Sequence, residues 1–319
     1  MITLSDIYRA RENISAIVKE TPIFTSSELS NCCGNRIFLK GEHLQKTGSF
    51  KIRGATNKVK EVVGKGTTFI TAASSGNHGQ AVAYIANELN VPATIVVPED
   101  VIESKKSAIE SYNGKIEKCG RTSTERINRA IELAKEHDGV FIPPYDDPLI
   151  IAGQGTVGLE VIEQVENVDI VVVPIGGGGL TSGMLIAMKE SNPKIKVIGV
   201  EPESANDTFL SWTNNKITSI PPTNTIADGL RATQPGELTF PIIQKYIDDI
   251  VLVSDDEIKA TLHFVMERMK QVIEPSGVVT IAAAMTGKLR VTSKNVVTVC
   301  SGGNVDIHQL LKLFDETAS

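Results

Sequence analysis

DIVVVPIGGGGLTSGM, residues 169–184, joins an apolar, β-branched run to four consecutive glycines and then to small residues that open a helix near Thr181. The run 169–175 is short and bounded by glycine, which reads as a strand buried on both faces. Gly176, Gly177, Gly178 and Gly179 let the chain turn without Cβ clashes and set backbone N–H groups at a helix N-terminus, where an anion is stabilised. The same alternation recurs along the chain. Strands are expected at 67–73, 93–97, 195–200 and 296–300, and helices at 79–89, 104–112, 123–136, 181–189 and 254–269. Short buried runs alternating with helical stretches predict an α/β fold of mostly parallel strands joined by crossover helices. No internal repeat is present. FIPPYDDP, residues 141–148, contains three prolines and two aspartates, which breaks regular structure and marks a crossing between domains. The expected layout is a large domain of residues 1–68 plus 147–319, with a smaller domain, 69–146, inserted into it.

Composition narrows the function. The 319 residues are 41% hydrophobic and 22% charged, with net charge -6, an ordinary globular balance. No block of lysines and arginines is dense enough to track a nucleic-acid backbone, and no apolar run is long enough to span a membrane. Residues 1–20 mix charged and apolar positions and read as a helix rather than a signal peptide. Cys32, Cys33, Cys119 and Cys300 form no C-x-x-C pair, which suits neither a disulfide framework nor a zinc knuckle and fits a reducing cytoplasm.

Four clusters carry chemistry. In LQKTGSFKIRGA, residues 44–55, Ser49 is placed to cap a helix with Lys51 in its first turn. The positive end of the helix dipole there disfavours an ammonium, and a neutral lysine amine forms a Schiff base with an aldehyde. A solvated surface lysine is the other reading. SSGNHGQA, residues 74–81, follows a strand and opens a helix, so Ser74, Ser75, Gly76, Asn77 and His78 form either a carboxylate seat or a tight βα turn. His78 by itself suits a structural hydrogen bond. Gly176 to Gly179 suit a phosphate. A dinucleotide fold competes, with Glu201 near the place of a ribose-binding acid, but no G-x-G-x-x-G occurs in any register. SGGN, residues 301–304, again follows an apolar strand, where the Ser301 hydroxyl can meet a ring nitrogen or simply sit in another turn.

In this order and spacing the clusters closely resemble the fold-type II pyridoxal-phosphate (PLP) family, tryptophan synthase β-like in fold, that contains serine racemases and serine/threonine dehydratases. The resemblance spans essentially the whole chain through SFKIRGA, SSGNHGQA, IAGQGT at 151–156, PIGGGGL, IADGL at 226–230, IEPSG at 273–277 and SGGN. It implies two open α/β domains with the cofactor between them. Lys51 then bears the cofactor and serves as Cα base, and Phe50 stacks behind the ring. Gly176, Gly177, Gly178, Gly179 and the Leu180 backbone hold the phosphate, Asn77 meets the ring hydroxyl, and Ser301 meets the pyridine nitrogen. Ser75 matches the racemase residue that faces the opposite side of Cα.

EPESAND, residues 201–207, resembles the cation loop of the metal-dependent members, which implies Mg²⁺, Ca²⁺ or Mn²⁺ on Glu201, the Ala205 carbonyl and Asp207. That loop points to the racemase-like branch, whereas PPYDDP before IAGQGT looks more like the dehydratases. The resemblance further implies a homodimer and admits a nucleotide effector. The chain ends near Ser319, which leaves no C-terminal regulatory domain of the biosynthetic threonine deaminases. The expected activity is an ammonia-lyase on L-serine and L-threonine, with serine racemisation or 3-hydroxyaspartate dehydration as close alternatives. A cysteine-synthase-like transferase and a non-catalytic binding protein are more distant ones.

Overall fold

A computed structural model describes residues 2–315. Its larger sheet has the order β1-β2-β10-β7-β8-β9, made of Ile23–Thr25, Arg36–Lys40, Asn295–Val299, Ile170–Pro174, Lys196–Pro202 and Asp249–Val253. Only the β1–β2 pair is antiparallel. The second sheet, β5-β4-β3-β6, is all parallel and consists of Lys115–Lys118, Ala93–Val97, Ile70–Ala73 and Val140–Phe141.

The apolar runs of the larger sheet are continuous because both its faces are covered. Along β7 the side chains alternate between two cores. Ile170 and Val172 pack with Val278, Val279 and Ala282 of helix α12 (Pro275–Met285). Val171 and Val173 pack with Met184, Leu185 and Met188 of α8 (Gly179–Ser191). Ile37 and Leu39 against Phe38 on β2, and Val296 against Val297 on β10, divide in the same way. Each branched side chain so buried is worth about 1.5–3 kcal/mol.

The remaining helices are punctuated by local chemistry. The crossover α6 (Ser123–Glu136) starts on a reciprocal cap, in which Thr122 Oγ1 accepts from Glu125 N and Glu125 Oε2 accepts from Thr122 N at 2.8 Å. Helix α7 (Pro148–Gln164) has Pro148 in its first turn, and Asp147 accepts from Leu149 N at 2.8 Å. Helix α11 (Asp255–Phe264) ends earlier than the periodicity predicts, since residues Val265–Met269 widen into a π turn that Lys270 stops in the left-handed conformation.

Helix α3 (Lys51–Gly64) carries the lysine of interest and crosses α7 at two glycines. A Cβ on Gly153 would lie 2.6 Å from the Gly54 Cα, so this approach tolerates no side chain and explains a glycine in both SFKIRGA and IAGQGT. A second tie lies beside it. The Arg53 guanidinium donates to both oxygens of Glu42, each at 2.8 Å, and to both oxygens of Glu160, at 2.6 and 2.8 Å. Lys40 Nζ meets the same Glu160 at 2.5 Å and the Thr21 carbonyl at 2.8 Å. All four charges are buried and they sum to zero. The cluster joins β2, the turn after it, α3 and α7 by hydrogen bonds that leave few lone pairs unmet, the condition under which buried ion pairs persist.

Candidate active site

The chain entering α3 is stitched to the turn after β10. Ser49 bridges Gly302, and Phe50 N donates to the Ser301 carbonyl at 3.1 Å. That bridge holds Ser49 extended (φ -163), so it does not cap α3 as its position in the sequence suggests; Phe50 occupies the cap position and the buried Ser49 Oγ has no partner. Lys51 follows in the first turn. Its Nζ donates to the Pro144 carbonyl at 2.7 Å and sits 5.3 Å from the Phe50 ring centroid. Loss of solvent pulls the amine down to about 8, with the Glu274 charge opposing.

The glycine turn after β7 is shaped by close approach. Gly178, at φ +89, caps α8, and a Cβ on Gly177 would fall 2.4 Å from the Tyr145 ring. Gly176 precedes them at the strand end, while Gly179 and the buried Leu180 open the helix. Thr239 Oγ1 donates to the Gly177 carbonyl at 2.8 Å, and Asp146 accepts from Thr239 N at 3.2 Å, which ties the turn to α10 (Thr239–Tyr246). The PPYDDP segment thus does more than connect. Pro144 meets Lys51, Tyr145 covers the glycines, Asp146 secures α10 and Asp147 caps α7. The proline and aspartate density marked it as a crossing, but nothing in the residues alone pointed to these contacts.

The turn after β3 opens α4 (Asn77–Glu88). Ser74 Oγ accepts from Gly76 N at 3.2 Å, and Asn77 Nδ2 donates to Glu274 Oε1 at 2.7 Å. His78 hydrogen-bonds the Ile142 carbonyl through Nε2 at 2.9 Å, and burial together with Lys51 pushes it down to about 3. Its ring is therefore neutral, with Nε2 committed to that carbonyl. Glu274 belongs to IEPSG but carried no expected role; burial, then Asp228, pushes it up to about 8.

A cavity of about 550 Å³, a size suited to a small ligand, is lined by Ser75, Asp228, Glu274 and Asn304 among others, whereas Lys51, Asn77, Gly176 to Gly179 and Ser301 do not line it. Across its mouth Lys105, on α5 (Glu103–Glu110), pairs with Asp228, and Ser104 Oγ donates to Asp306 at 2.6 Å.

Glu201 lies near the end of β8, and Asp207 opens α9 (Asp207–Asn214). Glu201 accepts from Thr208 N at 3.1 Å and Phe209 N at 2.7 Å, whereas both oxygens of the buried Asp207 lack a partner. Burial raises both carboxyls, Asp207 to about 7, and repulsion from Asp207 raises Glu201 further. Among the described residues no three His, Cys, Asp or Glu side chains converge on one point.

Comparison with known proteins bears on these arrangements. The model of the family "Pyridoxal-phosphate dependent enzyme" matches residues 14–302. The chain belongs to that family. The PLP enzyme is 42% identical to the serine racemase of Dictyostelium discoideum, over 98% of each chain. It is 43% identical to the L-threo-3-hydroxyaspartate ammonia-lyase of Saccharomyces cerevisiae, over 98% of this chain and 96% of that one. The solved structure of a T.th. threonine deaminase superposes with a TM-score of 0.91 at 40% identity, covering 96% of this chain and 99% of that one. The expected fold type and the PLP cofactor stand. The PLP enzyme contains, among its described residues, no helix long and apolar enough to cross a membrane.

Proposed function

We propose that this PLP enzyme is an ammonia-lyase that converts L-serine to pyruvate and L-threonine to 2-oxobutyrate, with a capacity for serine racemisation. The observation that carries the reading is the Lys51 amine. Its hydrogen bond goes to a neutral carbonyl at 2.7 Å rather than to a carboxylate, and with its affinity for a proton lowered to about 8 it is both nucleophile and base near neutral pH.

PLP, when bound, supplies an aldehyde for that amine and a ring that accepts the electron pair released at Cα. Gly176 to Gly179 and the Leu180 N–H would hold its phosphate at the start of α8. Phe50 would cover one ring face, Asn77 would donate to the ring oxygen, and Ser301 would offer the ring nitrogen a neutral hydroxyl. A neutral hydroxyl, unlike a carboxylate, would do little to hold a proton on the ring nitrogen, which favours departure of the β-hydroxyl. The smaller domain, 69–146, presents the N-terminus of α4 to the substrate carboxylate through residues 74–78. Lys51 takes the Cα proton, and Ser75 returns one on the opposite face when racemisation occurs. Glu201, the Ala205 carbonyl and Asp207 fit Mg²⁺ or a similar hard cation, whose charge neutralises two buried carboxylates. A homodimer belongs to the same reading, supported by the exposed Leu44 and Val272.

Incubation with L-serine is expected to release pyruvate and ammonia faster than D-serine appears on a chiral column. D-serine leading pyruvate would make racemisation the main activity. Ser75→Ala should cut D-serine formation by about 10²- to 10⁴-fold, the usual contribution of one proton-transfer group, while L-serine elimination persists. The cation has its own readout. Mg²⁺ at about 100 times its dissociation constant should stabilise the parent by roughly 2.7 kcal/mol in urea unfolding, and Asp207→Ala should abolish the gain. A parent indifferent to Mg²⁺ and to chelator refutes the site.

A further inference from the structure

The Asn77 carboxamide is locked in one of its two orientations by residues far away in the chain. The reference point is the Thr47 carbonyl, which can only accept. Asn304 Nδ2 donates to it at 2.8 Å, which fixes which end of the Asn304 amide is nitrogen. The same Nδ2 donates to Asn77 Oδ1 at 2.6 Å, so Asn77 must turn its nitrogen the other way. There it meets Glu274 Oε1 at 2.7 Å. Glu274 closes the cycle, because its second oxygen accepts from Asn304 N at 3.1 Å. The carboxylate is itself held in place. Its backbone N donates to the Gly302 carbonyl at 3.0 Å, and a Cβ on Gly302 would fall 2.4 Å from Oε1 and 3.0 Å from Asn77 Nδ2, so only glycine leaves room for the pair.

An amide nitrogen carries two hydrogens. Glu274 takes one, and the other is left for a ligand. We propose that Glu274 and Asn304 are positioning residues whose purpose is to present that second N–H of Asn77 to the ring oxygen of PLP. This rests on the reading of Asn77 given under the proposed function. A reversed Asn77 would set its own N–H against the Asn304 Nδ2–H and its oxygen against the Glu274 oxygen, and would turn a carbonyl toward the ring oxygen. The cycle needs two acceptors on residue 274, which the glutamate supplies as the carboxylate, its form above about pH 8. Glutamine has one, so Glu274→Gln sets an NH₂ against either Asn77 Nδ2 or Asn304 N.

The test measures, above about pH 8 where Glu274 is ionised, PLP affinity of the apoprotein and the visible absorption of the loaded protein. Glu274→Gln is expected to weaken PLP by about 10- to 100-fold, the range for a lost hydrogen bond to a charged group, and to shift the visible band. In an Asn77→Ala background the same change should add nothing, since Glu274 acts through Asn77. Equal weakening in both backgrounds overturns the positioning role, as does a Glu274→Gln protein with the parent's affinity and band. If Asn77→Ala alone leaves affinity and band unchanged, the assignment of Asn77 falls and this proposal with it. Should the apo melting curve show Glu274→Gln unfolded, Asn304→Ala tests the same cycle from its other side, with the same expectation of no added loss beside Asn77→Ala.

Discussion

Lys51→Ala is expected to yield a folded protein that binds PLP without the visible band of a lysine-bound cofactor and that has lost essentially all turnover. Loss of the Cα base alone accounts for about 10²- to 10⁴-fold, and loss of the covalent anchor adds to it. Little destabilisation should accompany this, because the amine donates a single hydrogen bond, to Pro144 O. The parent carries a linked pH dependence. Only the neutral amine reacts with an aldehyde, and the folded protein lowers Lys51 from 10.5 to about 8. Capture of PLP by the apoprotein should therefore accelerate as pH rises through about 8, well before a solvated lysine would respond. A midpoint near 10.5, the ordinary lysine value, measured by stopped-flow absorbance, would show that Lys51 is not desolvated, and an unaltered band in Lys51→Ala would remove it from the site.

Arg53→Met should be the most destabilising of simple substitutions near the site. It removes the guanidinium that spans Glu42 and Glu160 and leaves Lys40 as the one cation of the buried cluster. Breaking a buried ion network from one side costs about 3–5 kcal/mol, to be read from urea unfolding followed by circular dichroism. Arg53→Lys should recover little, since an ammonium cannot donate in a planar fork to two carboxylates at once. A loss below about 1 kcal/mol would mean that water reaches the pair. Because Arg53 lies two residues beyond Lys51, the folded fraction of such a variant should also hold PLP less tightly.

Much of the fold was legible because the governing forces are local. Helix α6 and strand β4 lie where the pattern places them, the first set by the Thr122–Glu125 cap and the second by Pro92 and Pro98 on either side of a branched run. Strand β3 begins three residues later than expected, at Ile70. Strand β2 went unremarked for a different reason. Its charged end residue Lys40 interrupts an apolar run, and what makes that lysine tolerable in a core is Glu160, 120 residues away. Helices α7 and α12 show in the sequence as the motifs IAGQGT and IEPSG rather than as helices, since glycine and proline near their starts obscure the periodicity. At the site the residue types were readable, whereas the wiring between them was not. The tasks of Glu274 and Asn304 are not legible in IEPSG and SGGN, because a carboxylate's role depends on which N–H groups reach it, and Asn77 lies 197 residues from Glu274. Ser49 shows the opposite error. A cap is read from neighbours in sequence, and the bridge to Gly302 overrode it.

The turns that carry the predicted site residues ride on separate frames, the one after β3 on the four-stranded sheet and those after β7 and β10 on the six-stranded sheet. Descent with modification can work on such an arrangement one half at a time. On the proposed function, changes in the turn after β3 would retune which amino acid is admitted, while the turns after β7 and β10, which would hold most of the cofactor, stay as inherited. A racemase, a hydroxyaspartate lyase and a threonine deaminase among kin of this chain at 40–43% identity are the kind of radiation that a split inheritance of this sort allows.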